Sequence, residues 1–290
     1  MLGLMKPDHD RPGSGGADQR VDRVERAHLR DPADRSHVIH RYPPSPDLAS
    51  LVQRFWIPVW SVPPGAEAPQ RVLQYPVALM VITDEYARFY GVTSGLSTTT
   101  LVGDGWGVGL MFQPAAGSLL TGGSMAAWTD RFAPVEDVLG DDGASLAAAV
   151  RGAMAADPSS VHAHRAAMDA YEERLRPRLP VDDEGIVVNA LVAFVEGRSD
   201  VVRVAQVCEE FDLTERALQR LVRRRIGITP KWLIQRRRLH EAAERLRVGA
   251  GNLAAVAADL GYADQPHFTR DFQTVTGMTP GAFAARFSAD

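Results

Sequence analysis

The chain has 290 residues, room for two domains, and 45% of them are hydrophobic, which excludes a wholly disordered protein. A formal net charge of −4 excludes nucleic-acid binding by overall charge, so any such function must lie in local patterning. The single cysteine, Cys208, excludes an intrachain disulfide, which fits a reducing cytoplasm, and no run of about 18 apolar residues could span a membrane.

Residues 1–36 are polar, charged and rich in Gly, Pro, Asp and Arg, without a helix or strand period, and read as a disordered tail. Met1 to Gly16 lacks the apolar centre of a secretory signal. From His37 onward, Pro, Gly and Thr punctuate short apolar runs. Residues 46–55 predict a short helix with Leu48, Leu51 and Val52 on one face. Residues 77–82, 87–92, 98–102 and 107–112 predict strands, and several short strands with turns between them suggest a small barrel or sandwich. Residues 143–176 turn to Ala, Arg and Glu and predict two helices broken near Asp157-Pro158. The expected organisation is a tail at 1–36, a β-rich domain with trailing helices at 37–176, a Pro-containing linker at 177–182 and an all-helical domain at 183–290. That is a two-domain α+β chain.

The carboxy-terminal third contains a repeat. Residues 219–230 read QRLVRRRIGITP and residues 269–280 read TRDFQTVTGMTP, so Arg220, Gly227, Thr229 and Pro230 recur fifty positions on as Arg270, Gly277, Thr279 and Pro280. Each copy predicts a helix, a tight turn and a second helix. In the first copy residues 201–211 precede a turn at Asp212-Leu213, and Thr214 caps the next helix to Arg225. In the second, residues 253–260 precede Gly261-Tyr262, and Asp264 caps a helix to Thr276. Gly261 suits a left-handed backbone, and Asp212 at the equivalent place tolerates one. Cys208 and Ala257 are the small residues that let paired helices approach, so Cys208 reads as a buried packing residue rather than a reactive thiol. Thr229-Pro230 opens a long joining helix to about Val248, whose Trp232, Leu233, Leu239, Ala242, Ala243 and Leu246 can face both copies.

The second helix of the first copy has an apolar face of Ala217, Leu218, Leu221 and Val222. Its other face gathers Arg216, Gln219, Arg220 and Arg223 at i, i+3, i+4 and i+7. From Thr214 to Arg247 there are 11 Lys/Arg against 3 Asp/Glu. Arg pairs bidentately with guanine and Gln with adenine in the major groove, and the remaining Arg residues can neutralise phosphates. A basic amphipathic helix alone is usually a solvated surface. Two copies at fixed spacing on a joining helix favour DNA.

With these residues in hand, 201–287 resembles the DNA-binding domain of the AraC/XylS family. The resemblance rests on Leu218-Gln219-Arg220-Leu221, Gly227-Ile228-Thr229-Pro230, residues 260–265 (LGYADQ), residues 267–272 (HFTRDF) and Gly277-Met278-Thr279-Pro280. It implies a double helix-turn-helix that sets two recognition helices in successive major grooves, with base-reading positions at Arg216, Gln219 and Arg220, then Gln265, Pro266, His267 and Arg270. Asp212 departs from the family's turn glycine. Pro266 cannot donate a backbone hydrogen bond, so the second helix is expected to grip the backbone more than it reads bases. Pro43-Pro44, Phe55-Trp56 and residues 103–109 (GDGWGVG) resemble the uncharacterised amino-terminal domain of one subgroup of these regulators, which implies effector sensing or dimerisation.

Residues 103–109 lack the Gly-Lys-Ser/Thr ending of a phosphate loop and read as a turn with strand glycines. Phe55, Trp56, Trp60, Trp106 and Phe112 could line a ligand pocket, though each alone reads as ordinary core. His37 with His40, and His162 with His164, lack companion ligands at metal-site spacing and read as exposed histidines, so no metal is expected. The expected function is a sequence-specific transcription regulator controlled by a small-molecule effector. Its expected partners are double-stranded DNA, RNA polymerase and a second copy of the chain; no cofactor or enzymatic activity is expected. A DNA-targeted alkyl-transfer enzyme would need a reactive cysteine outside the DNA-binding core. A non-specific architectural protein is the other alternative.

Overall fold

A computed structural model describes residues 27–29, 34–249 and 252–287. Most of the expected tail falls outside these residues. Ala27 and Leu29 are buried, and the Leu29 N–H donates to the Arg71 carbonyl at 2.8 Å, so part of the segment assigned to the tail is packed.

The amino-terminal region is a six-stranded antiparallel sheet plus a two-stranded ribbon. The sheet orders β1 (His37–Tyr42), β2 (Val52–Ser61), β7 (Asp104–Phe112), β4 (Leu79–Thr83), β5 (Ala87–Tyr90) and β8 (Phe132–Pro134), and the ribbon pairs β3 (Ala68–Leu73) with β6 (Leu96–Leu101). The expected helix at 46–55 is corrected: a single 3-10 turn, Pro46–Leu48, leads into β2. The helical spacing of Leu48, Leu51 and Val52 stops there; beyond a β-bulge at Val52/Arg54, buried Phe55 and Ile57 alternate with Trp56 and Pro58, and aromatic and β-branched residues favour the strand.

That alternation gives the sheet two faces. Phe55, Ile57, Met80, Ile82, Phe89, Trp106, Val108, Leu110 and Phe112 enter a core closed by α1 (Ala116–Thr121), α2 (Val135–Leu139), α3 (Asp141–Met154) and α4 (Val161–Leu175). The break between α3 and α4 falls at Asp157-Pro158 as expected. Ser160 caps α4, accepting from the His162 N–H at 3.2 Å. Tyr171 donates from the fully buried end of its ring to the Val108 carbonyl at 2.9 Å and fixes α4 against β7. On the opposite face Trp56, Pro58, Trp60, Val81 and Met111 look across a cavity toward the ribbon.

The carboxy-terminal region is all helix: α5 (Asp183–Gly197), α6 (Val204–Glu210), α7 (Glu215–Arg225), α8 (Pro230–Arg247), α9 (Leu253–Asp259), α10 (Gln265–Thr276) and α11 (Pro280–Phe287). The first helix of the first helix-turn-helix, α6, starts at Val204 rather than 201, because Gln206 Oε1 turns back to accept the Val202 and Arg203 N–H groups at 2.9 Å and ends the chain's extended approach. Each helix-turn-helix has its own core, and α8 contributes to both. Leu233 and Ile234 pack with Leu218, Val222 and Val207. Leu239, Ala242, Ala243 and Leu246 pack with Ala257, Phe268, Phe272 and Phe283. A helix whose apolar side serves both units fixes their relative orientation, because neither can turn without breaking a close-packed contact.

Candidate nucleic-acid interface and effector cavity

The turn of each unit is set by one left-handed residue. Gly261 has φ 74°, and Asp212 holds φ 49° without a glycine's freedom. Thr214 caps α7, accepting from the Ala217 N–H at 3.3 Å, and Asp264 caps α10, accepting from the His267 N–H at 2.7 Å. Both caps stand where the sequence put them. Each stabilises its helix start by about 1 kcal/mol.

On α7, Leu218, Leu221 and Val222 are buried, while Arg216, Gln219, Arg220 and Arg223 are exposed together on the opposite side. Gln219 Nε2 donates to Glu215 Oε1 at 2.9 Å, which holds the amide along the helix surface. On α10, Phe268 and Phe272 are buried and Gln265, Pro266, His267 and Arg270 are exposed. His267 stacks edge-on against Tyr262 with centroids 5.3 Å apart, and its Nε2 lies 3.6 Å from Asp271 Oδ2. Arg238 lies 3.9 Å above the Tyr262 ring, and burial raises the Tyr262 phenol to about 12, so it stays neutral.

The basic run divides in a way the sequence did not reveal. Arg225, Arg236 and Arg237 are buried and cannot meet phosphate. Arg225 pairs with Asp182, the N-cap of α5, and that hydrogen-bonded pairing holds the Asp182 carboxyl below its ordinary range. Arg236 pairs with Glu196 and donates to the Gln74 carbonyl. Arg237 donates to Glu241 at 2.9 Å and to the Ser199 and Val201 carbonyls. Arg224 is tied to Glu184 at the surface. Helical spacing alone does not distinguish these positions from the exposed ones. What decides is that α5, β3 and the chain after it pack on that side.

Cys208 is half-buried against the first unit's core, not fully buried like Ala257. Burial first, then Glu215 and Glu209, pushes its thiol up, which disfavours the reactive thiolate.

The aromatic set singled out in the amino-terminal region separates by strand parity. Phe55, Trp106 and Phe112 belong to the core under the helices, whereas Trp56 and Trp60 line the cavity between sheet and ribbon. Its volume is about 270 Å³. Residues 103–109 form a turn at Gly103, φ 55°, and the start of β7, as expected of strand glycines. The reading of the histidine pairs as exposed holds for His162 and is corrected for the others, His40 being half-buried. His37 and His164 are buried, and His164 bridges the Tyr42 hydroxyl at 2.8 Å and the Pro158 carbonyl at 2.7 Å, because α4 lies against β1. Among the described residues no three His, Cys, Asp or Glu gather as a metal site. No described helix is long and apolar enough to cross a membrane.

The two regions meet directly. Thr129 Oγ1 donates to the Gly227 carbonyl at 2.7 Å, Trp232 Nε1 to the Ser94 carbonyl at 3.1 Å, and Tyr75 stacks edge-on against His240 at 5.2 Å. Tyr75 also lines the cavity, so one side chain borders both the cavity and α8.

Fold and geometry thus define a β-rich domain docked on a double helix-turn-helix with two exposed polar helix faces. Residues 207–286 match the model of a helix-turn-helix domain, and residues 40–134 match a domain of unknown function (DUF6597). The HTH-type transcriptional activator RhaS of Escherichia coli is 31% identical over 94 residues, 32% of this chain and 34% of RhaS; that of Pectobacterium atrosepticum is 29% identical over the same length. The chain therefore spans about a third of the length of the curated relatives it matches. Its carboxy-terminal region is thus a helix-turn-helix domain similar to the one these activators carry. Among solved structures it is similar to the carboxy-terminal domain of AraT from Geobacillus stearothermophilus (20% identity, 38% of this chain, 92% of that one, TM-score 0.34). It is also similar to ToxT from Vibrio cholerae O395 (13% identity, 89% and 100% covered, TM-score 0.36).

Proposed function

We propose that the chain is a sequence-specific transcription regulator that binds double-stranded DNA through α7 and α10 and is controlled by a small molecule held in its amino-terminal domain. The observation that carries the DNA reading is the pairing of two exposed polar helix faces, Arg216, Gln219, Arg220 and Arg223 on α7 and Gln265, Pro266, His267 and Arg270 on α10, built on one shared helix. Arg216, Gln219 and Arg220 read base edges and Arg223 grips phosphate, while Gln265, Pro266, His267 and Arg270 meet the second groove, where the helix grips the backbone more than it reads bases. On binding, Gln219 exchanges its bond to Glu215 for a base.

Control follows from Tyr75, which borders the cavity and α8 together. A ligand acts only by favouring one arrangement of the two domains over another, and a shared wall gives it a route to do so. The regulator works in the cytoplasm as a homodimer, engages RNA polymerase at its promoters, and carries no catalytic activity of its own.

The test is a genome-wide map of bound sites followed by titration of one site against random competitor DNA at fixed salt. A regulator binds its site about 1000-fold or more above random DNA. Equal affinity for both would instead identify an architectural protein.

A further inference from the structure

The cavity in the amino-terminal domain has one wall of unusual construction. Trp56 and Trp60 stand on β2 opposite Gly109 and Gly105 of β7 in the antiparallel register. A Cβ on Gly109 would fall inside the Trp56 indole, and one on Gly105 inside the Trp60 indole. The two rings therefore lie flat over the neighbouring strand, in space that only glycine leaves open. Pro58 stands between them on the same face, and a Cβ on Gly107 would be 3.6 Å from its Cγ, an ordinary contact. The result is a row of indole, pyrrolidine and indole along one face of β2. Trp60 Nε1 donates to the Val102 carbonyl at 3.2 Å, which fixes its ring. Across the gap stand Val72 and Leu101 of the ribbon.

We infer that this row is a stacking platform and that the cavity takes a planar aromatic molecule of one or two rings. The inference rests on the reading of the cavity as the effector site and adds the chemical class of the effector. Indole faces favour offset stacking on another aromatic ring, a preference a saturated ring of the same skeleton cannot satisfy. At about 270 Å³ the cavity sits just below the usual range for drug-sized ligands, about 300–1,000 Å³, which excludes a large polycyclic molecule.

The probe is 2-naphthol, set against decahydro-2-naphthol, its saturated counterpart, in calorimetric titrations of the full chain. The expected result is one site per chain, with 2-naphthol bound about fivefold more tightly than the saturated alcohol. Gly109→Ala, which must displace the Trp56 ring, is expected to weaken 2-naphthol about tenfold, while Gly107→Ala, whose Cβ fits, changes it less than about twofold. Should Gly109→Ala not melt cooperatively, Trp56→Leu against Trp56→Phe replaces it, with loss expected for Leu and retention for Phe. No saturable heat, equal affinity for the two alcohols, or indifference to both Gly109→Ala and Trp56→Leu overturns the platform. The regulator reading is tested separately by operator binding of the same preparations. A chain that binds 2-naphthol as expected but no operator sinks that reading and leaves the platform. A chain that binds operator but no naphthol does the reverse.

Discussion

Individual side chains divide the basic residues into exposed groups and buried braces. Arg220 is exposed on the outer face of α7, five residues before the buried Arg225, and only the first can reach a base. Arg220→Ala is expected to weaken specific binding by about 1–3 kcal/mol and to relax preference at one base pair. Competition titrations on single-base operator variants measure this, and an equal loss on random DNA would reassign Arg220 to phosphate. Cys208 gives the opposite expectation. Its thiol is held up by burial and it packs beside the first unit's core. Cys208→Ala should therefore retain operator affinity and cost less than about 1.5 kcal/mol in urea unfolding. Abolished DNA binding in a cooperatively folded variant would contradict a packing role.

At the scale of elements, α8 carries the most varied duty. Its first turns serve the first unit, its last turns the second, and one side faces β3 and Tyr75 through Arg236 and His240. Burial first, then the nearby Arg236 and Arg247 charges, holds His240 well below its ordinary value despite a backbone hydrogen bond at Gln74. The sign follows directly. As pH falls below the unfolded value of about 6.5, the unfolded chain takes up a proton that the folded chain refuses, so stability declines with falling pH. His240→Gln is expected to flatten this dependence between about pH 7.5 and about pH 5.5. Urea midpoints of both proteins at the two pH values provide the check. Parallel loss in both would place the titrating group elsewhere.

For the whole molecule, the question is what the β-rich domain adds to a module that already carries two exposed polar helix faces. A 3-10 turn at Arg176–Arg178 leads into the linker, and Asp182 caps α5 four residues past it, so the domains are neither far apart nor freely tethered. The first unit's core includes Val92 and Ala115, and the second's includes Leu73, all from the amino-terminal side. A fragment of residues 182–290 is expected to bind DNA as a monomer, with a footprint over two major grooves about 34 Å apart. The full chain should bind more tightly or protect a longer stretch, since dimerisation raises effective concentration without new base contacts. Side-by-side footprints and sedimentation on one operator measure the difference. Identical affinities and footprints with monomers throughout would leave the amino-terminal domain no part in binding.

The sequence by itself determined whatever depends on local spacing and backbone chemistry. The repeat marked both helix-turn-helix units. Thr214 and Asp264 marked their caps, Asp212 and Gly261 their left-handed turns, and the two faces of α7 separated by period, because each of these is decided within a few residues. It could not sort residues that only distant chain segments tell apart. Arg225 and Arg223 look alike until α5 brings Asp182 to one of them, and Phe55 and Trp56 look alike until β7 offers glycine on one face and a helix-covered core on the other. The same limit hid β1, β2, β3, β8 and the buried His37 and His164, whose surroundings come from elements far along the chain. Tertiary packing alone decided which arginines are braces, which aromatics face the cavity and that Tyr75 touches both domains, because burial and pairing belong to the assembled elements and not to any one of them.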